Sequence, residues 1–160
     1  MELLELLEHY RDDSRVAHLI ESFEYSGKTA LLNVIGSQAA VFGAGIFLKA
    51  DYSGLFVLSN AEAAAYFEND LQQLLPNHEI LLFPSSYKKV NNFTEIDNNQ
   101  VLLRAKVIDE LMHVKKGQKL IVTYPEAIQE MTVAAETISE NTLHLHLREK
   151  VDIDFMLDLL

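Results

Sequence analysis

The residues SGKT at Ser26–Thr29 are the types that close a phosphate-binding loop, where backbone N–H groups and a lysine meet phosphate and a hydroxyl binds Mg²⁺. That chemistry needs the form GxxxxGK[ST] between a strand and a helix, so that phosphate sits at the helix N-terminus. Ser22 stands where the leading glycine belongs, and the nearest apolar run follows the motif instead of preceding it. Gly27 therefore reads as the turn that ends an N-terminal helix, with Lys28 on the surface. The strand–loop–helix pattern itself lies in "NVIGSQAAVF", with Gly36 and Ser37 at the turn and Gln38, Ala39 and Ala40 opening the helix. No lysine is placed there to meet the β and γ phosphates, and no hydroxyl to ligate Mg²⁺. We read Gly36, Ser37, Gln38, Ala39 and Ala40 as a degenerate nucleotide loop and expect no bound cofactor.

Other reactive side chains give no constellation. His144 and His146 share one side of an alternating strand, but no third ligand stands at a recognised spacing, so they read as two histidines on a solvated face. His9, His78 and His113 have no sequence partner, and Ser37, Ser59 and Ser85 lack the GxSxG elbow. Asp109 and Glu110 are adjacent on a helix and need not face each other. The run "KLIVTY" ends in Thr123 and Tyr124, without carboxylates to hold a metal-bound water. We expect neither a catalytic nor a metal site.

The elements that would position these residues follow from hydrophobic spacing. Leu3, Leu4 and Leu7, then Val16, Ala17, Leu19, Ile20 and Phe23, recur at three and four with a polar break at Arg11–Ser14, which predicts one or two short amphipathic helices before Gly27. Short apolar runs at 30–36, 54–59, 79–83 and 119–123 predict four strands. Between them lie a small-residue helix after Gly36, whose Gly43 and Gly45 permit close approach, and a helix from Ala61 to Leu75 capped by Asn60. A helix over about 100–114 follows, with Val101, Ala105, Ile108 and Met112 inward, closed by Lys115, Lys116 and Gly117. Pro125 opens a last helical turn. Four apolar strands alternating with helices predict an α/β fold, a three-layer parallel sheet covered on both faces. The stretch from Ser85 to Asn99 reads as polar loop, its Tyr87, Val90, Phe93 and Ile96 either tucked onto the domain, the reading we favour, or used against another domain.

The tail differs in character. Leu143, His144, Leu145, His146 and Leu147 alternate strictly, as in a strand with one buried face, and Asp152 caps an apolar helical pattern that runs to Leu160. We expect an N-terminal helical segment at 1–24, an α/β domain at 25–135, and at 136–160 the first strand and helix of a second domain cut short.

Bulk composition narrows the function classes. With 160 residues and 49% hydrophobic content the chain can bury a core, and without cysteine it has no thiol chemistry. A formal net charge of −11 repels nucleic acid and anionic membrane at long range. From Ser85 to Lys119, however, Lys88, Lys89, Arg104, Lys106, Lys115, Lys116 and Lys119 outnumber the acids, so a weak DNA contact there is an alternative to a plain solvated surface. No apolar run approaches the ~20 residues of a membrane span and the N-terminus lacks a signal-peptide build, so we expect a cytoplasmic protein without membrane partners.

The phrases "NVIGSQAAVFGAG", "GLFVLSNAEAAAYFENDLQQLLPNHEILLFPS", "DNNQVLLRAKVIDELMHVKKGQKLIVTYPEAI" and "TISENTLHLHLREKVDIDFMLDLL" resemble the N-terminal, UvrB-like region of the bacterial transcription-repair coupling factors, the Mfd family. The resemblance spans about residues 20–160. Gly36-Ser37 matches the Gly-Ser of the UvrB loop, and Gln38, Ala39 and Ala40 fall on its Gly-Lys-Thr. Pro84 ends the "LFP" strand, Arg104 takes the arginine of a "Q-R-L" helix start, and Val122–Ala127 matches "V-V-T-P-x-x-A-L" with Tyr124 inserted. The resemblance implies a helicase-like domain 1A whose nucleotide chemistry has been lost, within a parent that is an ATP-dependent DNA translocase. In that parent ATP and Mg²⁺, RNA polymerase and DNA would engage downstream domains, and UvrA the second domain. In UvrB the region matching Ser85–Asn99 leads to a DNA-gripping β-hairpin, for which this chain has too few residues. The competing expectation is an ATPase that uses Lys28 in an atypical way.

Overall fold

A computed structural model describes residues 3–25, 28–50, 52–90, 93–112, 119–132, 134 and 137. Helices α1 (Leu3–Arg11) and α2 (Ser14–Tyr25) meet at the expected polar break. Asp13 starts α2: its side chain accepts the Arg15 N–H at 2.7 Å and its carbonyl accepts from Val16 and Ala17. The break is thus a cap. Leu7 and Val16 are the buried residues of this pair among the described side chains. Both helices pack against α3 (Gln38–Lys49), where Gly45 faces the backbone of Tyr10 and Arg11.

Among the described residues the sheet has three parallel strands: β1 (Gly54–Val57), β2 (Ile80–Leu82) and β5 (Leu120–Thr123), in the order β1-β5-β2. The last strand in sequence fills the middle, and Leu120, Val122 and Thr123 are almost fully buried there. α4 (Ala61–Leu74) joins β1 to β2; Asn60 caps it by accepting the Ala63 N–H at 2.9 Å. Its inner face is Ala64, Phe67, Leu71 and Leu74, as the spacing predicts. With Ala40, Ala44 and Phe47 of α3 and Ile80, Leu120 and Val122 of the sheet, these side chains make the core. Gly43 lets α3 approach β1: a Cβ there would lie 2.9 Å from the Phe56 ring, which itself rests on Phe67.

Three of the four predicted strands form. The run at 30–36 does not. Asn33 sits at φ 61° and Gly36 at φ 59°, left-handed conformations that no extended strand accommodates, and asparagine is among the few side chains that adopt them readily. Leu31, Leu32 and Ile35 are exposed in consequence. The expectation of a sheet covered on both faces also fails at β1, whose residues alternate between half-buried and exposed, with Leu55 and Val57 outward.

The stretch from Ser85 to Asn99, expected to be loop, contains a two-stranded antiparallel hairpin: β3 (Tyr87–Val90) pairs with β4 (Phe93–Ile96) in the register Tyr87↔Ile96, Lys88↔Glu95, Lys89↔Thr94, Val90↔Phe93. The stretch thus folds on itself in a short hairpin of two four-residue strands where a loop was expected. Tyr87 and Ile96 are exposed, not tucked onto the domain; the side chains of Val90 and Phe93 lie outside the description. The Asp97 N–H extends the ladder to the Ser86 carbonyl, and the Asp97 side chain then accepts from Asn99 at the start of α5 (Asn98–Met112). The inner face of α5 is rotated from the predicted one: Arg104 and Val107 are buried, Ala105, Ile108 and Met112 half-buried, and Val101 exposed. α6 (Pro125–Gln129) starts at Pro125 as expected. Lys115–Gly117, His113, His144, His146 and the predicted strand and helix after 137 lie outside the described residues.

Candidate functional site

The degenerate loop adopts a tight turn. Gly36 takes the left-handed conformation and Ser37 a helical one, φ −68° and ψ −2°, without its hydroxyl capping α3. The Gln38 side chain folds back to accept the Ile35 N–H at 3.1 Å, while the Gln38 N–H reaches the Ile35 carbonyl at 3.3 Å. An amide side chain thus takes up a backbone N–H of this turn. Gly36, Ser37, Gln38 and Ala39 are exposed, and Ala40 alone is buried, under α3.

The literal SGKT is preceded by helix α2, and no helix follows Thr29, whose hydroxyl instead lies 2.9 Å from that of Ser22. Lys28 is exposed; Ser26 and Gly27 are outside the described residues. Because 30–36 is irregular, a strand does not separate Lys28 from Gly36. What removes the motif from phosphate chemistry is the missing strand before it and the missing helix after it.

In open α/β sheets, ligands bind outside the carboxyl ends of the strands. Here that place, above β2 and β5, is filled by a polar network. Arg104 reaches it from α5 and is 5% exposed. Its Nη1 donates to the Pro84 carbonyl at 2.7 Å and the Ala127 carbonyl at 3.0 Å, and its Nη2 to the Glu130 carbonyl at 3.3 Å. The guanidinium lies 4.2 Å from the centroid of the Phe83 ring, and its Nε lies 3.6 Å from the Glu130 carboxylate. Glu130 in turn accepts from the Ser85 hydroxyl at 2.9 Å and the Ser86 N–H at 2.8 Å. Burial opposes the charge on Glu130, but the hydrogen bonds from Ser86 and Ser85 and the Arg104 cation outweigh it and hold the carboxyl below its ordinary range. Tyr124, an inserted residue in the sequence comparison, is 6% exposed and accepts the Ser85 N–H at 2.8 Å through its hydroxyl.

This network ties the root of the hairpin to the end of β5 and to α6. The cavity beside it, about 130 Å³ and lined by Ser86, Arg104, Ile108 and Glu130 among others, is smaller than the ~300 Å³ at which small-molecule sites begin. Arg104 spends its donors on carbonyls, so it is a clamp within the fold. Sequence reading placed Arg104 on a motif but missed the partnership with Glu130; the pair is separated by an entire strand and has no local spacing to betray it.

A second hollow, about 450 Å³, lies at the other end of β1 between that strand and α3, lined by Phe23, Gly43, Phe47, Tyr52, Gly54 and Phe56 among others. Apolar groups dominate its wall, and no charged residue is among those lining it. On α1, the hollow formed by Glu5, Glu8, His9, Asp12 and Asp13 has two of its carboxylates taken by Arg11 and Arg15. Among the described residues no three His, Cys, Asp or Glu side chains gather as a metal site, and no helix is long and apolar enough to cross a membrane. Compared with known protein families, curated proteins and solved structures, the chain finds no match in any of the three.

Proposed function

We propose that this chain is a non-catalytic scaffold portion of a transcription-coupled DNA repair factor, a UvrB-like domain that has lost its nucleotide chemistry. The observation that carries the reading is the turn at Gly36–Ala40. It stands at the start of a helix, as a phosphate loop would, but the strand expected before it does not form, it offers neither lysine nor Mg²⁺-binding hydroxyl, and Gln38 covers a backbone N–H. The parallel α/β sheet and the motif resemblance over residues 20–160 support it further. In this reading the parent protein is a cytoplasmic, ATP-dependent DNA translocase that displaces stalled RNA polymerase and recruits UvrA. ATP, Mg²⁺, polymerase and DNA are handled by its other domains, and UvrA by the domain that begins near residue 136. The present chain contributes contacts between domains and no turnover.

Isothermal titration of the chain with ATP and Mg²⁺ tests this. The expected result is no saturable heat at micromolar concentrations. Micromolar binding that disappears in Lys28→Ala would replace the scaffold by an atypical ATPase.

One observation favours a second reading, a weak DNA-binding module: the β3–β4 hairpin carries Lys88 and Lys89 on one strand. The register sets Lys88 opposite Glu95, which offsets part of that charge. Binding to duplex DNA at low salt would have to fall steeply with ionic strength, as released counterions require, and to weaken in a Lys88→Ala, Lys89→Ala variant. Affinity that ignores both changes removes this reading.

A further inference from the structure

β1 is the last strand of its sheet among the described residues. The Gly54 N–H donates to Lys119 and the Leu58 N–H to Thr123, so alternate residues of β1 face β5, and Leu55 and Val57 turn their N–H and C=O groups toward the open edge. Beside that edge runs the apolar hollow of about 450 Å³ between α3 and β1. An open edge next to an apolar groove is a template for one more strand. The opposite edge strand, β2, is not equivalent: Ile80 and Leu81 are both buried, so nothing apolar there awaits a cover.

We propose that the alternating segment Leu143–Leu147 of this same chain, outside the described residues, adds to the open edge of β1. Its pattern supplies what the edge lacks. Leu143, Leu145 and Leu147 fall on one face of a strand and fill the groove beside Gly43, Phe47 and Phe56; His144 and His146 fall on the other face, toward solvent. The tether is long enough. Ten residues lie between Thr132 and Leu143, and the eleven steps at about 3.3 Å each span up to roughly 36 Å. Thr132 lies with Ser86 and Arg104 on the β2 side of the sheet, so the crossing takes three strand spacings, which with the length of β1 need about 28 Å. An intramolecular strand also suits a chain of net charge −11, which opposes pairing of two like copies. The inference stands on the open edge and the sequence pattern, and it moves the start of the second domain in the reading above from near residue 136 to beyond Leu147.

Amide hydrogen exchange on the full chain tests it, read at Leu55 and Val57, with Leu71 and Val122 reporting that the fold is intact. The expected result is protection of Leu55 and Val57 at least tenfold above exposed loop amides, independent of protein concentration. That protection should be lost in the full-length Leu143→Asp, Leu145→Asp, Leu147→Asp variant while Leu71 and Val122 stay protected. Unprotected Leu55 and Val57 in the unaltered chain overturn the proposal. So does protection that survives the three substitutions, or that rises with concentration together with a dimeric mass in light scattering, which would make a second copy the occupant. If the triple variant loses protection at Leu71 as well, Leu145→Asn alone gives the same comparison with a milder change.

Discussion

Replacing Arg104 by methionine removes the clamp at the carboxyl end of the sheet while keeping an unbranched apolar stem against Phe83. The change strands three carbonyls, of Pro84, Ala127 and Glu130, that now accept at 2.7, 3.0 and 3.3 Å. A buried acceptor without its donor costs about 1–3 kcal/mol, toward the lower end for a carbonyl that keeps a second lone pair. Glu130 keeps its bonds from Ser85 and Ser86, so its carboxylate is weakened but not orphaned. Together these give a loss of about 3–5 kcal/mol, the range for breaking a buried pair from one side. That is a large part of the ~5–15 kcal/mol that holds a domain folded. In urea, with a slope of about 2 kcal/mol per molar, the unfolding midpoint falls by about 2 M. A fall of less than about 0.5 M at unchanged slope refutes the clamp. Arg104→Lys separates charge from shape: one ammonium cannot span three carbonyls, so lysine should recover less than half of the loss. Full recovery would mean that the charge alone matters.

Three further outcomes follow from single contacts. Asn60→Ala removes the side-chain cap of α4 and should cost about 1 kcal/mol in the same urea assay, whereas Asn60→Asp should be close to neutral. Gly43→Val drives a branched side chain into the Phe56 ring, already 2.9 Å from a bare Cβ, and should destabilise by about 1–3 kcal/mol with the near-ultraviolet signal of the core altered; a neutral result would show that α3 can retreat from β1. Asp13 is held at about 2, from an ordinary 3.8, by hydrogen bonds from the Arg15 side chain and then its backbone. A carboxyl depressed in the folded state stabilises above pH 3.8 and loses that contribution as pH falls through about 2. Thermal midpoints of the unaltered chain and Asp13→Asn should therefore differ at pH 5 and converge by pH 2; a constant difference would contradict the assignment.

Much of the fold was legible because local rules and packing agree. Asn60 before "AEAAAYF" announces a cap and an inner face, and the structure has both. Pro125 likewise opens its helix where the sequence places it. Three apolar runs became parallel strands since each is short and bounded, and two of them, β1 and β5, lead directly into a helix. The hairpin was missed although its signal was present: two runs of four residues with aromatic or β-branched ends flank Asn91-Asn92, a two-residue connection that asparagine favours. The rotation of α5 could not be read from apolar spacing, because the residue that sets it is an arginine. Arg104 turns inward to reach three carbonyls, and Val107 follows one turn later while Val101 is turned outward. A hydrophobicity pattern treats that position as surface.

The run at 30–36 and the open side of β1 expose the same limit. An apolar run records that side chains need cover; it does not record what supplies the cover. In "ALLNVI" the demand was read as a strand, but Asn33 breaks the extended backbone and leaves Leu31, Leu32 and Ile35 in water. In "GLFV" the strand forms, yet only the side carrying Phe56 meets α3 and α4, and Leu55 and Val57 remain 61% and 51% exposed. Exposed apolar side chains thus recur on two separate stretches of the chain. The strand pattern at Leu143–Leu147 has the complementary need, three leucines and no partner in the sequence around them. Added to the open edge of β1 as proposed, that segment would set its three leucines in the groove beside Phe56, on the face opposite the Leu55 and Val57 side chains, and would give those two residues backbone partners through one ladder.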